Sequence, residues 1–289
     1  MKNILACLAG FPHDANALDA ALLVGWPFDA FIEGLHVQPE PMKIVTDAAL
    51  QQFATFHGSR EVVLSLQRKA AQRSAKAKQI YDSFLDRRLA AHAFGSAQTG
   101  VNASFRCVEG DPVATATAEA RFADLVVIGR APPEAQFSTE QIATILVGCG
   151  RPLLLVPDRE IETIGRTIAI AWKEKAESAR AVMAAKPLLR RAKKVIVISV
   201  EEHGSDAVAC TASAERLAAQ LAHDGIHAEA HGFTSPRDAA VSLVNKAKEL
   251  GADLIVSGAY SHSRARELVF GGFTRALLTD CDLPVLLLH

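Results

Sequence analysis

Residues Ala123-Asp124-Leu125-Val126-Val127-Ile128-Gly129 return as Ala252-Asp253-Leu254-Ile255-Val256-Ser257-Gly258, and Arg151-Pro152-Leu153-Leu154-Leu155-Val156 returns as Leu283-Pro284-Val285-Leu286-Leu287-Leu288. Two such matches in the same order and at similar separation describe a tandem duplication. Each copy reads as an apolar strand closing on glycine, then a loop and helix, then a second apolar strand. In an open α/β sheet, that is the neighbourhood where ligands bind.

Outward from these segments, short β-branched runs alternate with helical patterns. In the second half the expected strands are Thr167 to Trp172, Lys194 to Val200, Ile226 to Gly232, Asp253 to Ser257 and Pro284 to Leu288. Helices are expected over Glu177 to Leu189, Cys210 to Asp224, Pro236 to Leu250 and Gly272 to Thr279. Gly225 and Gly251 stand where a helix would end on a left-handed residue. In the first half the strands are Asn3 to Leu8, Phe31 to Val37, Ala103 to Val108, Asp124 to Gly129 and Pro152 to Val156. Its helices are Asn16 to Val24, Glu61 to Leu89 and Pro112 to Arg121, with a helix of unassigned bounds before the last strand. Residues 38–60 form an insertion without counterpart in the second half. This alternation predicts right-handed βαβ crossovers, and so an α/β chain of two tandem, doubly wound parallel sheets, Rossmann-like, with five strands each. Residues 1–157 make one domain and 166–289 the other, joined by the polar stretch Pro157 to Gly165.

A chain of 289 residues suits two domains, and 49% apolar with 22% charged residues is ordinary globular composition. No apolar run reaches the roughly 20 residues of a membrane span, and the first residues enter a strand-like run rather than a signal peptide; a cytoplasmic protein is expected. A net charge of -1 without a basic, aromatic-studded stripe argues against nucleic-acid binding. The five cysteines form no CxxC or metal-spaced cluster, so no metal site is expected.

With strand order and the terminal loop read, the chain resembles a tandem universal stress protein, whose domains have the adenine nucleotide alpha hydrolase-like fold. Members of that family that bind ATP carry Gly-x2-Gly-x9-Gly-[Ser/Thr] between the fourth and fifth strands and an Asp near the end of the first. Here Gly258-Ala259-Tyr260-Ser261 is followed, after nine residues, by Gly271-Gly272-Phe273-Thr274. The spacing is intact, with Ser261 in place of the second glycine and Gly272 in place of the Ser or Thr. The resemblance implies an adenine nucleotide, ATP with Mg²⁺, held by Gly258, Ser261, Gly271, Gly272, Phe273 and Thr274. At the first-strand position Lys173 stands where the acid is expected, and an ammonium only donates, so it suits a phosphate better than adenine or ribose. Val200 matches the family's apolar contact to the base.

The loop has its own physics. Glycines let backbone approach an anion closely, and Gly271-Gly272 precedes a helix whose free N–H groups attract one. His262, Arg264 and Arg266 add positive charge. The structural alternatives are as plain: glycines permit a tight turn, Thr274 caps the helix, and Lys173 and Val200 are ordinary surface and core. In the first half, Gly129 is followed by Arg130-Ala131-Pro132-Pro133, without a Gly-Gly pair, and Leu8-Ala9-Gly10 offers no acid, so that domain reads as a degenerate, structural copy.

Three functions follow. The first is a stress-response regulatory protein that senses a nucleotide or small anion through its second domain, its two domains forming an intramolecular pseudo-dimer through their short fifth strands, with a further homodimer open. The second is a protein-interaction scaffold without nucleotide. The third is a weak ATP hydrolase; no P-loop, GxSxG elbow, HExxH or SGGxDS loop is present, so no catalytic residue is assigned.

Overall fold

A computed structural model describes residues 1–40, 60–93, 102–130, 137–202, 207–235, 238–259 and 272–289. The strands are β1 (Asn3–Leu8), β2 (Phe31–Gln38), β3 (Ala103–Glu109), β4 (Leu125–Gly129), β5 (Leu153–Val156), β6 (Thr167–Ala171), β7 (Lys194–Glu202), β8 (Ala228–Ser235), β9 (Leu254–Gly258) and β10 (Val285–Leu288). The α-helices among the described residues are α1 (Asp14–Gly25), α2 (Arg60–Ala93), α3 (Pro112–Ala120), α4 (Thr139–Cys149), α5 (Ala176–Leu189), α6 (Ala207–Ala222), α7 (Ala239–Glu249) and α8 (Gly272–Thr279). All ten strands lie in one sheet, in the order β3-β2-β1-β4-β5-β10-β9-β6-β7-β8. Each half is a five-stranded parallel, doubly wound sheet, and the halves meet where β5 pairs antiparallel with β10.

The apolar runs are explained by burial on both faces. Along β4, Leu125 and Val127 join one core layer while Val126 and Ile128 join the other. The first layer is closed by α1, α2, α5 and α6, through residues such as Leu18, Phe84, Val182 and Leu221. The second is closed by α3, α4, α7 and α8, through Ala116, Leu146, Leu243 and Leu277. Both layers continue across the β5–β10 joint, where Leu154 pairs with Leu286, the residue that the repeat makes its equivalent.

The duplication holds at the level of register. Ile4 pairs with Leu125 as Ile168 pairs with Leu254, and Ile4 pairs with Ile32 as Ile168 pairs with Val195. The repeated Ala-Asp explains itself: Asp124 accepts from the N–H groups of Lys2 and Asn3, and Asp253 from those of Gly165, Arg166 and Thr167. Each aspartate ties the start of its half's central strand to the strand beside it.

Some boundaries differ from the sequence expectation. Strand β8 starts at Ala228 rather than Ile226, because Gly225 (φ 74°) ends the preceding helix and Ile226 is spent closing it, its N–H donating to Leu221 O. Helix α7 starts at Ala239 on an Asp238 cap, whose carboxylate accepts from Ala240 and Val241. Helix α4, whose bounds the sequence reading left open, starts on a Ser138/Gln141 capping box, a signal present in the sequence. Residues 41–59 of the insertion lie outside the described residues. No helix among the described residues is long and apolar enough to cross a membrane.

Candidate functional site

In the second half the chain leaves β6 toward one face of the sheet and β9 toward the other, so the C-terminal ends of these neighbours form the switch point at which open α/β sheets place a ligand crevice. One wall is the loop after β6. Lys173, Glu174, Lys175 and Ala176 are exposed there. The Trp172 indole N–H donates to Ser213 Oγ on α6, which donates in turn to Glu174 (2.9 Å), so the loop is anchored to α6. The Lys173 ammonium stands 3.5 Å from Glu201 and is 58% exposed, an ion pair that costs little to rearrange. Val200, at the end of β7, is 8% exposed and belongs to the core layer under α7 and α8.

The other wall is the end of β9. A Cβ at Gly258 would lie 2.4 Å from Ser178 N and 2.5 Å from the Glu177 carbonyl carbon, so only glycine admits the first turn of α5. Gly129 does the same for His13 at the start of α1, where a Cβ would fall 2.8 Å from the imidazole. This glycine is therefore accounted for by packing in both halves. Gly272 opens α8, and a Cβ there meets no described atom within 4 Å. Phe273 packs on the core and Thr274 is 6% exposed, both in the first turn of α8. Ser261, His262, Gly271, Arg264 and Arg266 lie outside the described residues. Two groups that sequence reasoning did not select also stand beside Gly258: His289 Nδ1–H donates to Ala259 O, and Arg180 Nε–H donates to His289 O. Nothing short of the β9–β10 pairing would have brought the C-terminus here.

At the matching switch point of the first half, the loop after β1 is buried rather than exposed. By register Ala9 is the counterpart of Lys173 and Asp14 that of Ser178. Ala9, Gly10, His13 and Asp14 are all buried, Asp14 to 1%. The Asp14 carboxylate accepts from the N–H groups of Ala9 (3.1 Å), Gly10 (2.7 Å) and Phe11 (3.2 Å). It sits as an internal anion in a cradle of backbone donors. Burial pushes its pKa up to about 6 even against those three donors. Helix α2 closes the top: a Cβ at Gly10 (φ +80°) would lie 2.4 Å from Arg73 O, and the Arg73 guanidinium stacks over Phe11. His36, fully buried at the end of β2, donates from Nδ1 to Leu8 O, and its Nε2 lies 3.1 Å from Ser74 Oγ of α2. Burial lowers the pKa of both His13 and His36, which favours neutral rings.

At the joint, Arg130 follows Gly129 and reaches across to the second half. Its guanidinium donates to the carbonyls of Leu277, Leu278 and Cys281 at the C-terminal end of α8, where the helix dipole favours a cation.

Residues 165–289 match the model of the universal stress protein family. This half of the chain carries the sequence pattern of a universal stress protein domain. The whole chain is similar in fold to a universal stress protein from Archaeoglobus fulgidus DSM 4304, with a TM-score of 0.67 at 14% identity over 99% of this chain and 95% of that one. A putative universal stress protein from Pseudomonas aeruginosa UCBPP-PA14 superposes with a TM-score of 0.57 at 16% identity, covering 100% of this chain and 93% of that one. A comparison with curated proteins gives no match. At these identities the superpositions speak for the fold alone, which both halves share, while the family match rests on the second half.

Proposed function

We propose that this chain is a regulatory protein of the stress response that senses an adenine nucleotide or a small anion in the crevice of its universal stress protein domain, the first half serving as a closed structural copy. The reading is carried by one contrast: the loop after the central strand is exposed at Lys173 to Ala176 in the second half and buried at Ala9 and Gly10 in the first. A phosphate fits the groups present, with the Lys173 ammonium on one wall and the N-terminal turn of α8 at Gly272 on the other. Bound Mg²⁺ would neutralise phosphate charge beside them. The adenine end departs from the family pattern, since Lys173 takes the place of the acid.

Calorimetric titration of ATP, ADP and AMP with Mg²⁺ into the wild-type chain and Gly272→Arg tests the proposal. Binding at about 100 μM or tighter, about -5.5 kcal/mol, that the variant loses would support it. Absence of binding by all three nucleotides and by inorganic phosphate would overturn it. The scaffold reading would then stand, favoured by the packing role that Gly258 shares with Gly129.

A further inference from the structure

The two halves differ at a second place, at the outer edge of each half-sheet, two strands from the central strand. In the first half Arg106 of β3 lies between Glu33 of β2 and Glu119 of α3; its guanidinium meets Glu33 Oε1 at 2.6 Å and both carboxylate oxygens of Glu119. This two-sided ion pair fills the space between the edge strand and the helix that follows it.

The equivalents in the second half follow from register and from the helix caps. Ala103 pairs with Ile32 as Ala228 pairs with Val195, so Arg106 corresponds to His231 and Glu33 to Ile196. Helices α3 and α7 start on Asp111 and Asp238 caps, and the residue eight positions past each cap is Glu119 in one and Lys246 in the other. An arginine between two acids has become a histidine between an isoleucine and a lysine. Both carboxylates have gone, and two basic groups remain.

The space they filled is open. A groove of about 660 Å³ runs between β8 and α7, lined among others by His231, Ser242, Asn245, Lys246 and Glu249, with Thr211 of α6 also in its lining. That volume is in the range of small-molecule sites. The His231 Nε2 atom is buried and makes no hydrogen bond within the described residues; Glu229 is at 3.7 Å and pairs with Lys194 at 3.0 Å. Among the described residues Lys246 pairs with Glu249 (2.8 Å), which is 66% exposed, so an incoming ligand displaces a weak surface pair. Asn245 and Ser242 add neutral hydrogen-bonding groups.

We propose that this groove binds a small oxyanion, a carboxylate or phosphate group, between His231 and Lys246, in the place that the Glu119 carboxylate takes beside Arg106 in the first half. The inference is independent of the nucleotide crevice.

Titration of succinate and, separately, inorganic phosphate, followed by the NMR shift of the Asn245 side-chain amide, tests it in the full chain. The wild type should show saturable shifts with half-saturation at about a millimolar or below, for one or both probes, and the probe that saturates names the ligand class. Lys246→Met should weaken the binding about tenfold or more. The double variant His231→Arg/Lys246→Glu rebuilds the ion pair of the first half and should abolish binding without lowering the urea unfolding midpoint, which separates loss of a site from loss of fold. Gly272→Arg should leave the titration unchanged. Shifts that stay linear in both probes, that survive Lys246→Met, or that vanish in Gly272→Arg would each overturn the proposal.

Discussion

Asp14→Asn is the most informative single change to the first half. The carboxylate is 1% exposed and takes three backbone N–H donors, yet burial raises its pKa from 3.8 to about 6. Because the folded value lies above the unfolded one, protonated Asp14 favours the fold. That stability is fully present below pH 3.8 and is lost as pH rises through 6. Between these values the slope is about -1.4 kcal/mol per pH unit, and between pH 4.5 and 7.5 the group removes about 2 kcal/mol. Asparagine keeps the size and one acceptor oxygen but cannot ionise. The assay is urea unfolding of both proteins at pH 4.5 and 7.5, in which titrating groups not coupled to Asp14 cancel in the difference; His13, 3.6 Å from the carboxylate, is held neutral by burial over most of this range. Relative to wild type, Asp14→Asn should gain about 2 kcal/mol on going from the lower to the higher pH. A difference independent of pH, or a variant that loses ground as pH rises, would refute the reasoning: the three N–H bonds would then outweigh burial and hold the carboxylate at or below its ordinary pKa.

Gly258→Ala should cost about 1–3 kcal/mol or more, read as a lowered denaturant midpoint, because the new methyl group falls 2.4 Å from backbone nitrogen of α5 and no side chain can yield. An unchanged midpoint would show that α5 shifts freely. Arg130→Met should cost about 2–3 kcal/mol and speed hydrogen exchange in the last turn of α8, since three carbonyls lose a charged donor; burial of the guanidinium offsets part of what the bonds contribute. Unaltered exchange in α8 would mean that the clamp across the joint is dispensable.

Much of the fold could be read from the sequence because its signals are local or repeated. The Ala-Asp-apolar-Gly segments at 123–129 and 252–258 gave the duplication, and the length of the β-branched runs gave buried parallel strands, each appearing within a residue or two of its expected place except at β8. There the start is delayed by two residues while Ile226 closes the glycine-terminated helix, and the strand runs on three residues past Gly232 to Ser235. Of the candidate positions, Gly258 was legible because the first turn of α5 leaves no room for a side chain there, whereas a Cβ at Gly272 meets no described atom and nothing in its packing calls for glycine.

The sequence by itself determined the α/β alternation, the two-copy plan, and which copy keeps a glycine-rich loop before its last helix, since periodicity, turn residues and spacing are properties of the chain alone. Tertiary structure decided the rest. It set the antiparallel register of the two fifth strands, Leu154 against Leu286, turned Asp14 inward as the anion of its own cradle under Arg73, carried His289 to Ala259, and set His231 and Lys246 along one groove. Each of these joins residues distant in the chain, or turns a polar side chain away from water, and burial and register, which fix both, exist only once the strands have paired.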